Sequence, residues 1–402
     1  MTMDSPNVAE RPLAKLDFVN AAGSSTNLAY AAPQPMNFEL VDRGAFGLDG
    51  NLVVNSRELV HETLRNPAVF SSEDLVEQGN TLPLIPLNID PPDHLRFRKL
   101  LDPLFSVRSV AALEGDITAR VNRFIDTFAD RGSCDFTAEF AELFPSSVFL
   151  GMMGLPWEEL ETLVAMRDGL LRPGTRDMDP AQRSAIQRET AQTVYAFFGE
   201  ILDERARHPK DDILSRFVTV EAEGDRLTRE EALAICFVLL TAGLDTVTDS
   251  LTCFFAFLAQ HPEHRRQIVG NPELIPNAVE ELLRWETPVP GVVRWARTDA
   301  TVGGASVDAG HHVMLNLGAA NLDPAEFADP LEVRFTREEN RHLAFGGGVH
   351  RCLGLHLARR ELRIALQEWH RRIPDYTLAP GYEVGYLPPL RYVPDLQLVW
   401  PS

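Results

Sequence analysis

The sequence has 402 residues, 45% of them hydrophobic and 24% charged, ordinary values for a chain able to bury a large core and a cofactor besides. With 38 Lys and Arg against 58 Asp and Glu, the net charge is −20, which argues against nucleic acid and against wide contact with anionic lipid. Cys134, Cys236, Cys253 and Cys352 have neither zinc-ligand nor CxxC spacing; no disulfide scaffold is expected at this size, so a reducing, cytoplasmic compartment fits best.

Residues 1–30 carry no apolar core of signal-peptide type and form a poorly defined N-terminal segment. A short strand is predicted at 51–55 and a helix at 56–66. Residues 71–89 lack periodicity, yet hold Leu82, Leu84, Ile85, Leu87 and Ile89. An apolar loop of that length either packs on the core or serves as a lid over an apolar pocket. Asp90-Pro91-Pro92 opens a helix predicted at 93–104, with His94 and Arg98 four apart on one face. That pair could clamp a carboxylate or form a solvated basic face.

Three- and four-residue apolar spacing predicts further helices at 110–131, 139–151, 157–171, 181–208 and 228–261. Thr228 followed by Glu231 is a capping-box pattern. The last helix is about 30 residues, or ~45 Å. Its apolar run at 232–243 falls short of the roughly 20 residues that span a bilayer, so no membrane anchor is expected. Into that buried centre the sequence puts Ala242-Gly243-Leu244-Asp245-Thr246. Neither Gly243 nor Asp245 favours a buried helix. The Thr246 hydroxyl can reach the Ala242 carbonyl and loosen the turn into a notch; alternatively Asp245 bridges to another helix.

Glu281 and Arg284 share a helical face at three-residue spacing. Strands are predicted at 301–304 and 313–317, within a strand-rich block at 292–317, and at 376–378 and 396–400. The result is a mainly α chain with small β-sheets (α+β) and no dividing linker, so a single domain over 1–402 is expected.

The sharpest local signal is Phe345-Gly346-Gly347-Gly348-Val349-His350-Arg351-Cys352-Leu353-Gly354, followed by a helix at 355–372. The glycines permit positive φ and close approach to a flat object. Cys352 precedes a helix N-terminus, which favours a thiolate and hence a soft metal ligand. A lone cysteine in such a turn is otherwise a buried structural residue.

This stretch resembles the haem-binding loop of the cytochrome P-450 family, Phe-x-x-Gly-x-His/Arg-x-Cys-x-Gly, at every fixed position. The resemblance runs from about 51 to 400 and implies haem b between a cysteine loop and a long central helix. It implies that Cys352 is the axial ligand, that Phe345 packs by the sulfur and Gly346 borders the cofactor, and that His350, His94, Arg98 and Arg294 bind propionates. Ala242 and Gly243 would lie over the cofactor, with Asp245 and Thr246 as the acid–alcohol pair that handles protons. Glu281 and Arg284 match the family's buried structural pair. One departure is Asp308, where the family has proline in a turn.

The activity so implied is insertion of one oxygen atom from O2 into an apolar small molecule by a monomeric enzyme, with electrons from a separate ferredoxin and reductase. Leu84, Leu87, Val238, Thr241, Ala242, Val289 and Val292 are expected to line the substrate pocket, with one hydrogen bond from Thr241. Arg96, Arg98, Lys99, Arg359, Arg360 and Arg363 would form a basic docking patch on the cysteine side, or merely compensate helix dipoles. The rivals are a peroxide-driven oxidant, a non-catalytic haem protein, and a haem-free enzyme with Cys352 as nucleophile.

Overall fold

The computed structural model describes residues 31–73, 78–174, 178–222, 224–388 and 390–401. Helices dominate and are arranged around one central element, Arg229–Gln260, of 32 residues. Its start is fixed by the capping box: Thr228 Oγ1 accepts from the Glu231 N–H at 3.2 Å, and the Glu231 carboxylate accepts from the Thr228 N–H at 2.7 Å. The helix is apolar and long enough to cross a membrane, but 72% of its most apolar window is buried inside the protein. It is a core helix.

Its two halves belong to different apolar clusters. The first half, through Leu244, packs with Leu84, Phe97, Phe149, Phe198 and Phe217. The second, from Val247, packs with Phe128, Phe136, Phe140 and Trp369, where Trp369 stands edge-on to Phe136 at 5.1 Å and to Phe255 at 5.0 Å. Asp245 and Thr246 lie at the seam between the clusters.

The largest sheet has five strands in the order Ala45–Leu48, Asn51–Val54, His312–Asn316, Gly291–Ala296, Phe70–Ser71. Only Asn51–Val54 with His312–Asn316 is parallel; the other pairs are antiparallel. A three-stranded sheet joins Thr377–Leu378, Gln397–Val399 and Ser133–Asp135. Ser133–Asp135 carries too few residues for alternation to announce it.

Prolines explain two of the places where the predicted helices differ. The stretch 93–104 is a helix only over Asp93–Leu101, then turns 3-10 over Asp102–Phe105, where Pro103 lacks an N–H. The stretch 139–151 opens with a wide turn, Thr137–Ala141, before the helix Leu143–Met152. Pro145 cannot bond the Ala141 carbonyl, which instead accepts from Thr248 Oγ1 of the central helix at 2.9 Å. The stretch 110–131 divides into Val107–Ala111, Glu114–Ile125 and a 3-10 turn at Ala129–Arg131. Pro180–Arg207 and Leu160–Leu171 match their predicted helices closely.

Candidate active site

The cysteine loop is held from both ends. Phe345 O accepts from the Cys352 N–H at 3.0 Å and Leu343 O from the Gly346 N–H at 2.8 Å. Gly346 and Gly348 have φ of +65° and +64°. A Cβ on Gly348 would lie 2.1 Å from the Leu64 carbonyl oxygen, whereas one on Gly346 would meet nothing within 4 Å. Glycine is therefore required at 348 by a close backbone approach and at 346 by conformation. Arg359 lies over the Phe345 ring at 4.6 Å, and Leu353 packs on the cluster that the central helix shares.

The loop's approach is anchored by Glu281 and Arg284, neither of them exposed. They meet through two hydrogen bonds of 2.8 and 2.9 Å. Glu281 also accepts from Arg337 and Asn340 and from the Arg334 N–H. Arg284 donates to the carbonyls of Asn321, Pro330 and Glu332, and the Asn321 side chain accepts from the Leu343 N–H at 2.6 Å. One buried ion pair thus ties helix Ile275–Glu286 to the strand-poor segment that leads to Cys352.

His94 and His350 lie with ring centroids 4.2 Å apart. Both are pushed down to about 4, by burial first, and then by the charges of His350 and Arg98 on His94 and of Arg294 and Arg98 on His350. Arg294, from strand Gly291–Ala296, is buried and donates only to the Val293 carbonyl among the described residues; burial pushes it down to about 10. Arg98 reaches the Arg351 carbonyl at 2.7 Å and pairs with Asp102. A second acid, Asp90, lies 3.4 Å from His350 and is already engaged by Ser71, Ser72 and Arg297. His94 Nδ1 has no hydrogen-bond partner among the described residues, and His350 Nε2 faces only Asp90, without a well-formed bond. The arrangement has cationic capacity in excess of anions, which suits the carboxylates of a bound group. Burial pushes the Cys352 thiol up; the Gly354 N–H and the charges of Arg98, Arg359 and Arg351 oppose this.

On the central helix Ala242 and Gly243 are exposed although their neighbours Thr241, Leu244 and Asp245 are buried, and a Cβ on Gly243 would meet nothing within 4 Å. That open, side-chain-poor turn suits close approach by a flat group. The Thr246 hydroxyl donates to the Ala242 carbonyl at 3.1 Å, while the helix continues unbroken; the expected local loosening does not interrupt it. Asp245 pairs with Arg172, just past the end of helix Leu160–Leu171, at 2.5 Å. Burial pushes its carboxyl up, against the pull of Arg172 and Arg167.

A family profile described as cytochrome P-450 matches residues 166–369. A probable cytochrome P-450 127A1 of Sinorhizobium fredii is 37% identical over 83% of this chain and 79% of its own length. A steroid C26-monooxygenase of Mycolicibacterium smegmatis is 32% identical over 85% of this chain and 84% of its own. The chain belongs to the cytochrome P-450 family. The crystal structure of P-450BioI in complex with hexadec-9Z-enoic acid ligated acyl carrier protein superposes with a TM-score of 0.84, at 28% identity, covering 93% of this chain and all of that one. This cytochrome P-450 is a monooxygenase of bacterial type, with the family's fold and its haem-thiolate cofactor.

Two expectations need correction. The basic patch is largely neutralised within the chain: Arg96 pairs with Asp225 and Glu231, Arg359 with Glu280 at 2.7 Å, and Arg360 and Arg363 with Glu114. A hollow of about 180 Å³ lies there, lined by Val107, Val110, His356, Arg359, Arg360 and Arg363 among others. Thr241 does not offer its hydroxyl proton to a pocket, because it points at the Phe237 and Val238 carbonyls at 3.2 and 3.3 Å. Leu84 and Val238 are buried in one cluster, Val289 and Val292 are half-buried, and Leu87 is exposed. Arg167, Arg172 and Asp249 escaped sequence reasoning. Their signals were an arginine among Leu163, Met166 and Leu170, and a second acid one turn past Asp245.

Proposed function

We propose that this cytochrome P-450 binds haem b and uses O2, with electrons from a separate ferredoxin and its reductase, to hydroxylate an apolar small molecule. What carries the reading is the buried group of Arg294, His94 and His350 beside the cysteine loop, where the nearby acids Asp90 and Asp102 are already engaged by Arg297 and Arg98. Two carboxylates there would satisfy the unpartnered imidazole nitrogens and offset the burial of Arg294. Cys352 would hold the haem iron as a thiolate, Phe345 would shield its sulfur, and Gly346, Ala242 and Gly243 would let the flat ring pass close to backbone. His94, Arg98, Arg294 and His350 would hold the propionates.

When bound, haem supplies oxygen activation and attack on the substrate. The chain supplies the rest. Asp245 and Thr246 sit at the seam of the two apolar clusters and hold and move protons at Asp245 Oδ and Thr246 Oγ1. Leu84, Leu87, Val238, Val289 and Val292, all aliphatic, favour a neutral apolar substrate. A steroid-oxidising relative and a structural neighbour holding a fatty acyl chain support that class. A single-domain cytoplasmic monomer is the simplest form of such an enzyme.

The test is turnover of the haem-loaded protein with 18O2, reduced ferredoxin and a panel of steroids and fatty acids. One labelled oxygen in the product supports the reading. Activity with peroxide alone, and none with reduced ferredoxin and O2, contradicts it.

A further inference from the structure

One turn beyond Asp245 stands a second acid, Asp249. It is fully buried, and neither carboxyl oxygen has a hydrogen-bond partner among the described residues. Arg172 Nη2 lies 3.9 Å from Asp249 Oδ1 and 2.5 Å from Asp245 Oδ1. Arg172 also lies over the Tyr392 ring at 4.6 Å and 3.6 Å from Glu142. Arg167, fully buried, is 3.9 Å from Asp245 and 3.8 Å from Glu142, and bonds Asp168.

Four carboxyls, those of Glu142, Asp168, Asp245 and Asp249, therefore face two guanidiniums. Full ionisation would leave a net charge of minus two in a mostly buried cluster, which the interior opposes. Asp249 has no donor to satisfy an anion, so it is the carboxyl that keeps a proton. Burial and the Asp245 charge both push it well up. Nothing in helix formation or packing asks for an acid there; an apolar side chain would suit the site better.

We propose that Asp249 is a proton reserve for Asp245, and that Arg172 is the counter-ion the two carboxyls share. This rests on Asp245 and Thr246 being the proton-handling pair of a monooxygenase. At rest Asp245 is ionised against Arg172 and Asp249 is protonated. In the exchange the O–H bond of Asp249 breaks, an O–H bond forms on Asp245, and Arg172 closes its 3.9 Å gap to Asp249. The cluster's net charge is unchanged, so the proton moves without stranding a buried ion. It crosses about one helical turn, ~5 Å, which one water or a carboxyl rotation bridges. Asp245 then passes the proton on through Thr246, in a reaction whose oxidant is O2 and whose electrons come from the ferredoxin. Glu142, a quarter exposed and itself pushed up by burial, is the way back to solvent. Asp249 acts through Asp245 and is a positioning residue for protons.

The experiment compares wild type, Asp249→Asn, Asp249→Glu and Glu361→Gln as haem-loaded proteins. Glu361 is the control, another buried acid with an unpartnered oxygen. Infrared spectra should show a protonated-carboxyl stretch that Asp249→Asn removes and Glu361→Gln leaves. Asp249→Asn should also melt at a higher temperature than wild type, the opposite of what loss of a structural residue does. Oxygen consumption driven by reduced ferredoxin, which needs no identified substrate, should slow roughly tenfold or more in Asp249→Asn. Its solvent isotope effect should rise, and Asp249→Glu should restore part of the rate. A full set of carboxyl bands in Asp249→Asn, or lost intensity with unchanged rate and isotope effect, overturns the proposal. If wild type consumes no oxygen with reduced ferredoxin, the monooxygenase reading of the pair fails and this proposal falls with it, whatever the infrared spectrum shows.

Discussion

Glu281 and Arg284 form a fully buried ion pair whose arginine bonds the carbonyl of Asn321, and the Asn321 side chain in turn takes the Leu343 N–H just before the cysteine loop. Removing one partner leaves a buried charge without its counter-charge, which costs about 3–5 kcal/mol. Arg284→Ala should therefore lower the melting temperature sharply and lower the haem recovered per protein. Thermal melts and the ratio of haem absorbance to protein absorbance measure both.

Arg294 is a different case, because its guanidinium is buried with no carboxylate bonded to it among the described residues. Arg294→Leu should leave the haem-free protein as stable as wild type or slightly more so. The same change should weaken haem binding by about tenfold or more, a loss of at least ~1.4 kcal/mol. Melting of the apoprotein and haem titration separate the two effects.

The glycines of the cysteine loop should not be equivalent. Gly346→Ala carries only the strain of a positive φ, about 1–2 kcal/mol. Gly348→Ala adds a collision with the Leu64 carbonyl that only backbone movement can relieve. Gly348→Ala should lose most of its haem-thiolate absorbance under conditions in which Gly346→Ala keeps it.

Glu280 joins helix Ile275–Glu286 to the cysteine side through His342 and Arg359. Burial pushes its carboxyl up, but the hydrogen bonds from His342 and Arg359 prevail and hold it at about 2. Its folded value lies below the unfolded one, so its contribution is present above about pH 4.5 and is lost as pH falls towards 2. Glu280→Gln should lower stability at neutral pH by on the order of 1–3 kcal/mol. It should also flatten the acid limb of stability against pH between those values. An unchanged acid limb would show that Glu280 contributes nothing through its charge.

Thr248→Val tests how the fold accommodates Pro145. The Ala141 carbonyl would lose the Thr248 hydroxyl that replaces its helical partner. Leaving it unpaired in the core should cost about 1–3 kcal/mol. Pro145→Ala should relieve part of that cost, and a double-mutant cycle measures the coupling.

The cysteine loop and the Asp245–Thr246 turn were legible in the sequence because each breaks a local rule: three glycines in a row, and an acid in an apolar helix. The helices Pro180–Arg207 and Arg229–Gln260 were legible because caps and prolines mark their ends. The helix at 139–151 was drawn too long because the wide turn before Pro145 depends on Thr248, more than a hundred residues away. The partners of Asp245 were missed for the same reason: Arg172 and Asp249 become one cluster only when helix Leu160–Leu171 is laid across the central helix. The expected basic patch failed because charge counted along the chain does not show that Glu114 and Glu280 fold back onto it.

The most direct measurement is the absorbance of the purified, dithionite-reduced protein with and without carbon monoxide. Thiolate ligation by Cys352 predicts a strongly red-shifted Soret band on adding carbon monoxide, abolished in Cys352→Ala. A band at the position of a histidine-ligated haem, or no haem band at all, would contradict the assignment of Cys352 as the iron ligand.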